Sequence, residues 1–318
     1  PETMNTIYLD NNATTQPLNS VVGAINNIVK DVYGNPSSPH TLGSEAYSYI
    51  LNAKETIANF LNCKPEHIIF TSGGTEGNNT VLQSVLGWKD LPKSIITTEV
   101  EHSSILKTCE FLRTLGVRIS YLPVNSEGLI NLDYLETILK KEDAALISIG
   151  WGNNETGVIQ PINEIIRLKE KYGTLLHTDA VQIVGKDKID LNKMNIDFLT
   201  FSGHKIHAMK GIGGIYARDI RLVRPLLWGG EQEWNRRAGT ENILGIRSLD
   251  EAIKQRQSTF KESIQLLKSL RDDFEAGIKN LLSDVFINGN VDFRMVNTSN
   301  IRFQGVDGRA LLAQLDIA

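Results

Sequence analysis

Short, largely apolar runs alternate along the chain with segments of helical period, and this alternation constrains the fold more than any other feature. The runs have the length of buried strands and lie at residues 67–71, 94–98, 145–149, 174–178 and 198–201. Helical segments lie between several of them, as at 162–171, which is followed by Gly173. Strands that alternate with helices form a mainly parallel sheet sandwiched by helices, so the sequence predicts an α/β fold.

The pattern changes after about residue 244, where a long amphipathic helix is predicted to run to about residue 282. A strand at 297–303 and a helix at 307–315 follow, as in the beginning of a small α+β unit. A chain of 318 residues suggests about two domains. We predict a large ligand-binding domain at 15–247 and a small domain formed by 4–14 and 248–318, whose C-terminal part is missing.

Composition and charge argue against several classes of protein. A net charge of −4 offers no broad cationic surface for DNA, and no run approaches the ~20 apolar residues of a membrane span. Cys63 and Cys109 are the only cysteines, too few for a disulfide framework or a cysteine-rich zinc site, and they agree with a cytoplasmic location. His204 and His207 lack further ligands at suitable spacing, so we expect no metal.

Polar residues with suitable chemistry follow the predicted strands, where parallel sheets bind ligands. Lys205, after the strand ending at 201, could form a Schiff base with an aldehyde cofactor, although a solvated lysine is the simpler reading. Asp179, after the strand ending at 178, could pair with a pyridinium nitrogen, although aspartate is also a common helix cap.

Three further strands are followed by groups of complementary chemistry. Gly74 and Thr75 could cradle a phosphate at a helix N-terminus, His102 could stack on a planar ring and exchange protons, and Asn154 could bond a phenolic oxygen. Each has a plain alternative as a turn, cap or structural residue. Together they supply every kind of group that pyridoxal 5′-phosphate (PLP) requires, and each is predicted at the carboxyl end of a different strand.

Neither cysteine has the setting of a nucleophile. Cys109 lies in the segment 105–115, whose helical period predicts a packed side chain. Cys63 lies in a helix-to-strand connection, where nothing nearby would activate it.

These motifs, in this order, resemble those of the NifS/IscS group of cysteine desulfurases, which are fold-type I, class V PLP enzymes. The resemblance runs from residue 8 to near residue 318 and is carried by 8–15 (YLDNNATT), 34–38 (GNPSS), 71–79 (TSGGTEGNN), 153–157 (NNETG), 177–182 (HTDAVQ), 202–205 (SGHK) and 237–242 (RAGTEN).

The resemblance implies a role for each matching residue. Lys205 would be the Schiff-base lysine, Asp179 the partner of the pyridinium nitrogen, and His102 the ring-stacking proton carrier. Asn154 and Gln182 would bond the ring oxygen. The phosphate would be held by Gly74, Thr75, Ser202 and His204, and by Thr240 reaching across from a neighbouring subunit, which implies a homodimer.

The implied activity converts L-cysteine to L-alanine and passes the sulfur through an enzyme persulfide to an acceptor protein, such as an iron–sulfur scaffold or a thiolation partner. Selenocysteine lyase or another class V PLP lyase is the alternative on the same cofactor. A non-catalytic PLP-binding scaffold is the alternative of another class.

Two residues that the family requires have no counterpart here. In the family, the nucleophilic cysteine follows a segment like 311–317 (LLAQLDI), and an arginine that binds the substrate carboxylate comes later. We therefore expect the natural polypeptide to continue, and the 318-residue form to bind PLP at best without desulfurating cysteine.

Overall fold

A computed structural model describes residues 7–317 and contains a seven-stranded sheet. The strands of the sheet are β1 (Ile68–Thr71), β2 (Ser94–Thr98), β3 (Arg118–Leu122), β4 (Leu146–Gly150), β5 (Leu175–Asp179), β6 (Phe198–Ser202) and β7 (Gly213–Ala217). Their order across the sheet is β1-β7-β6-β5-β4-β2-β3. Neighbouring strands pair in parallel throughout, except that β7 pairs antiparallel with both β1 and β6.

The mainly parallel sheet confirms the predicted fold class, and all five predicted strands occur within one residue of their expected bounds. Asp179 is the last residue of β5 and Ser202 the last of β6, so each strand extends one residue further than predicted. β3 was not predicted. It pairs only with β2 at the edge of the sheet, and its polar residues Arg118 and Ser120 obscure the apolar signal.

Helices cover both faces of the sheet, as the alternation predicted, and a hydrophobic core lies between the helices and each face. Ile68 and Phe70 of β1 point into one of these two cores and Ile69 into the other, because successive side chains of a strand face opposite sides. The helices are α1 (Asn19–Asn26), α2 (Thr41–Leu61), α3 (Gly74–Ser84), α4 (Ser103–Thr114), α5 (Leu132–Lys141), α6 (Ile162–Tyr172), α7 (Gln232–Asn235), α8 (Ile243–Leu281) and α9 (Gly308–Ile317).

Two predicted helices have the expected ends. α6 stops at Gly173, which adopts a left-handed conformation with φ of 70° and so ends the helix without strain. The long helix predicted from about 244 to 282 is α8, which spans 39 residues. Its first turns bury Ile246, Leu249 and Ile253 against the sheet domain, and most of its later turns are exposed.

A small unit follows α8, in which β8 (Val285–Ile287) pairs antiparallel with β9 (Ile301–Phe303) and α9 follows. Residues 4–6 of the predicted small-domain segment 4–14 lie outside the described residues. Asn12 of the same segment donates to Thr298 Oγ1 (2.9 Å). The domain boundaries themselves stay a prediction. Within residues 7–317, no helix is both long and apolar enough to cross a membrane.

A buried ion pair fastens the small unit to α8. Arg294 donates from Nη1 and Nη2 to the two carboxylate oxygens of Glu275 (2.8 and 2.9 Å), and the two side chains are 3% and 10% exposed. Residue 294 also forms a β-bridge with Val158, in the connection that follows β4. The pair therefore helps to position a loop at the carboxyl edge of the sheet.

We expect Arg294→Met to lower the free energy of unfolding by about 3–5 kcal/mol, because it leaves the Glu275 carboxylate buried without its partner. Lys268→Met is the control, since it breaks an exposed pair with Asp272 on the same helix and should cost at most about 1 kcal/mol. Urea unfolding measures both. Equal losses in the two variants would contradict the structural importance of the buried pair.

Candidate active site

A cleft of about 400 Å³ opens at the carboxyl edge of the parallel strands. Every predicted site residue except Thr240 lines it, which are Gly74, Thr75, His102, Asn154, Asp179, Gln182, Ser202, His204 and Lys205. They lie at the carboxyl ends of β1, β2, β4, β5 and β6 or shortly after them. The parallel direction of these strands brings residues that are far apart in sequence to one edge.

Lys205 ends a single 3-10 turn, Gly203–Lys205, which directly follows β6. The N-terminal segment packs over this turn, where Thr15 donates to the His204 carbonyl from both its backbone N–H (2.9 Å) and its hydroxyl (2.8 Å). The Lys205 amine donates to the carbonyls of Asn12 and Ala13. The amine is thus held at the cleft wall, where an electrophile can reach it.

Burial sets the charge of the groups around that amine. It lowers the pKa of Lys205, and the negative charges of Asp179 and Asp10 oppose the shift. It lowers the pKa of His204 to about 4, assisted by the positive charges of Lys205 and Lys210. A lysine whose pKa is lowered holds more of the neutral amine, which is the nucleophilic form.

Asp179 lies at the end of β5, between β4 and β6. Its Oδ1 accepts from the Val181 N–H (3.0 Å) and its Oδ2 from the Asn78 amide (2.7 Å). Burial raises the pKa of Asp179, and these two hydrogen bonds together with the positive charge of Lys205 oppose the shift. A cationic ring nitrogen beside it would complete the charge balance.

The glycine turn after β1 is built to receive an anion. Gly73 precedes α3 with φ of 153°, which favours glycine, and it offers the helix N-terminus no capping side chain. A Cβ on Gly74 would lie 2.7 Å from Val181 Cγ2, so any side chain there would force Val181 to move. The Ser202 hydroxyl is buried with no hydrogen-bond partner among residues 7–317. These donors converge on one side of the cleft.

The remaining predicted groups lie across the cleft. His102 caps α4, and its Nδ1 accepts from the Ser104 N–H (3.1 Å), which leaves the imidazole proton on Nε2. Asn154 donates to its neighbour Glu155 (2.9 Å). Gln182 donates to the Asn12 carbonyl (2.9 Å). All three side chains can face a planar ligand bound between Lys205 and the glycine turn.

Thr240 does not join this group, because it is exposed and does not line the cleft. Its segment is nevertheless tied to the glycine turn, since Arg237 donates to Glu76 Oε1 (3.0 Å) and Glu76 accepts from the Ser72 N–H (2.7 Å). The predicted role of Thr240 toward a neighbouring subunit stays a prediction.

Both cysteines lie away from the cleft. Cys109 lies in α4 and is fully buried in the core, which confirms the predicted packed side chain. Cys63 follows α2 and is half-buried. Burial raises the pKa of each thiol to about 12, so neither is activated as a thiolate.

The sequence reasoning missed several residues of the site. Asn78 and Ser104 lie within helices, where nothing in the local pattern distinguishes a functional residue from an ordinary polar one. The side chains of Asn12 and Glu101 form hydrogen bonds with residues that only the tertiary structure brings close, and Lys186 was also missed. Lys186 donates to Gln182 Oε1 (2.9 Å), and this bond directs the amide nitrogen of Gln182 toward Asn12. The available signals for Asn78 were its helical spacing from the glycine turn and its place in the motif 71–79.

Comparisons of sequence and of structure with known proteins point to the same family. The family model described as aminotransferase class-V matches residues 7–318. A cysteine desulfurase of Nostoc sp. is 44% identical over 98% of this chain and 78% of its own length, and the cysteine desulfurase NifS of Azotobacter vinelandii is 40% identical over 98% and 77%. The solved structure of a NifS-like protein superposes with a TM-score of 0.93 at 36% identity, covering 97% of this chain and 85% of the other.

Glu101 makes the stability of the protein depend on pH. Its carboxylate accepts from Thr98 Oγ1 and the Gly150 N–H (2.8 Å each), and burial raises its pKa from 4.5 to about 7. Between these pH values the folded state keeps the proton that the unfolded chain has released. The free energy of unfolding therefore falls as pH rises from about 4.5 to about 7.

We expect Glu101→Gln to remove this decrease, because glutamine has no proton to lose and its oxygen can still accept from Gly150. Relative to the parent, the variant should gain about 2 kcal/mol on going from pH 5 to pH 8, a figure reduced for the partial exposure of the side chain to the cleft. Urea unfolding at the two pH values measures it. Glu99→Gln, at an exposed position two residues earlier, is the control, and identical pH dependence in all three proteins would contradict the assignment.

Proposed function

Because this chain belongs to the aminotransferase class-V family, in the NifS/IscS group of cysteine desulfurases, we propose that it is a PLP-dependent enzyme that converts L-cysteine to L-alanine. The observation that carries the proposal is the placement of the Lys205 amine and the Asp179 carboxylate in one cleft, beside a glycine turn that can bind a phosphate. The relatives named above support the choice of L-cysteine as substrate.

The residues present suit PLP. The uncapped N-terminus of α3 and the buried Ser202 hydroxyl, which has no partner among residues 7–317, provide donors that a phosphate would satisfy. Gly74, Thr75 and His204 would complete the phosphate site. His102 would lie against the ring, with Asn154 and Gln182 beside the ring oxygen.

PLP, when bound, would supply an electron sink for the carbon that bears the substrate amino group. Lys205 would hold the cofactor and then, as the neutral amine that its lowered pKa favours, remove the proton from that carbon. Asp179 would keep the ring nitrogen protonated. His102 would donate from Nε2, since its Nδ1 is occupied by Ser104.

The sulfur would leave through a cysteine other than those in this sequence. A persulfide forms when a thiolate attacks the substrate sulfur, and burial suppresses the thiolate of both Cys63 and Cys109. We therefore assign this step to a cysteine supplied from outside these 318 residues. The persulfide would pass to an acceptor protein in iron–sulfur cluster assembly or thiolation.

We also propose a homodimer in which Thr240 reaches the partner's phosphate site. The segment that carries Thr240 exposes Trp228 (83%) and Trp234 (44%), and exposed aromatic residues are enriched in protein interfaces. A second subunit would cover these side chains.

We expect Lys205→Ala to abolish the visible absorbance of the PLP-loaded protein and its sensitivity to borohydride, because among residues 7–317 Lys205 is the one lysine that lines the cleft. Lys193→Ala is the control, since that side chain is 80% exposed and remote from the cleft, and it should keep the parent spectrum. If the colour and borohydride sensitivity of Lys205→Ala matched those of the control, the lysine assignment would be wrong.

We expect the double variant Cys63→Ser/Cys109→Ala to behave as the parent does. In both, L-cysteine should change the visible spectrum of the PLP-loaded protein, and sulfide release should stay at background. Sulfide release that the parent shows and the double variant lacks would overturn our reading of these cysteines. Preference for L-selenocysteine over L-cysteine, in binding and in alanine release, would favour the selenocysteine-lyase alternative.

A further inference from the structure

One chain of hydrogen bonds joins the two sides of the cleft beneath the proposed cofactor site. It begins at Asp179, whose Oδ2 accepts from the Asn78 amide (2.7 Å). The same amide nitrogen donates to Ser104 Oγ (2.9 Å), and Ser104 Oγ lies 2.8 Å from His102 Nδ1. The carboxylate after β5 and the imidazole after β2 are therefore connected through two side chains.

Only one assignment of donors and acceptors satisfies this series of hydrogen bonds. A carboxylate only accepts, so the amide nitrogen of Asn78, and not its oxygen, faces Asp179. Its second proton goes to Ser104 Oγ, which leaves the hydroxyl proton for His102 Nδ1. The Ser104 N–H donates to the same nitrogen (3.1 Å). The imidazole is thereby held in the tautomer with its proton on Nε2.

Asn78 is well suited to hold both groups in place. It is 1% exposed and lies in α3, one turn after the glycine turn that begins this helix. A Cβ on the adjacent Gly77 would lie 2.6 Å from Thr200 Cγ2, so α3 packs directly on β6 at this point. One rigid helix thus positions the glycine turn and the bridging amide relative to the sheet.

We propose that Asn78 is a positioning residue. By bonding both Asp179 and Ser104, it connects the carboxylate to His102 through hydrogen bonds. The inference rests on the proposed function, because Asp179 and His102 are the groups assigned to the ring nitrogen and the ring face of PLP. Asn78 itself touches neither substrate nor reacting atoms in this assignment. It acts by supplying a donor to the carboxylate and by fixing, through Ser104, the orientation of the imidazole.

The test follows the titration of the Asp179 carboxyl in the cofactor-free protein by carbon NMR, with Asp179→Asn identifying the signal. In Asn78→Ala the carboxylate loses one of its two donors, so its titration midpoint should rise by about one pH unit. In Ser104→Ala the amide is no longer held from its other side, and the midpoint should rise by a smaller amount although Ser104 does not contact Asp179. Gln83→Ala, in the same helix outside the cleft, should leave the midpoint unchanged.

Two results would overturn the proposal. A midpoint in Asn78→Ala equal to that of Gln83→Ala would show that the amide does not support the carboxylate. A Ser104→Ala midpoint equal to the control would show that Ser104 does not hold the Asn78 amide, so the path from Asp179 toward His102 would be broken at Ser104. The titration needs no cofactor, whereas the proposed function depends on PLP binding to the parent protein. Failure of one is therefore distinguishable from failure of the other.

Discussion

The common direction of the strands is the constraint on which the rest of the structure depends. Each connection from a parallel strand leaves the sheet at its carboxyl edge, so the polar residues after five strands must converge there. The reversed strand β7 contributes differently, since it enters the sheet at this edge. Gly213 at its start lies so close to Gly73 that a Cβ would come within 2.7 Å of the Gly73 Cα. Close backbone packing thereby shapes the floor of the anion-binding turn.

Burial at this edge acts in opposite directions on acids and bases. It raises the pKa of Asp179 and Glu101 and lowers that of Lys205 and His204, because the charged form of each loses solvation. The site therefore holds its groups closer to their neutral forms than water would. Such a site favours a ligand that carries both an anionic group and a cationic nitrogen. The nitrogen would pair with the Asp179 carboxylate, and the anionic group would accept from the donors of the glycine turn. PLP has this distribution of charge.

Neighbouring groups hold the side chains of the site in place. The Asn12 and Ala13 carbonyls receive the Lys205 amine, and Lys186 orients Gln182. Asn78 does the same for Asp179. Side chains that are held in this way lose little freedom when a ligand binds, which is how a site achieves defined geometry.

Much of this protein could be read from the sequence alone. Five of the seven strands of the main sheet, the end of α6 at Gly173 and the extent of α8 follow from periodicity and local backbone preference, which each segment carries in its own residues. The cofactor-binding lysine, the aspartate and the groups after three further strands could also be named, because the end of a parallel strand is a local position with a known place in the fold. Gln182, Ser202, His204 and Thr240 were named only through the family resemblance. β3 was not predicted, because an edge strand need not be apolar.

Only the tertiary structure decided which residues support the site. Asn78 and Asp179 are 101 positions apart, and Lys205 meets Asn12 across 193 positions. Contacts of this kind depend on the register of the strands and on how α3 packs against the sheet, to which no local pattern refers. The sequence determined the identity of the chemical groups and the edge where they emerge. Their mutual distances, partners and protonation were decided by packing, because those properties arise between segments and not within them.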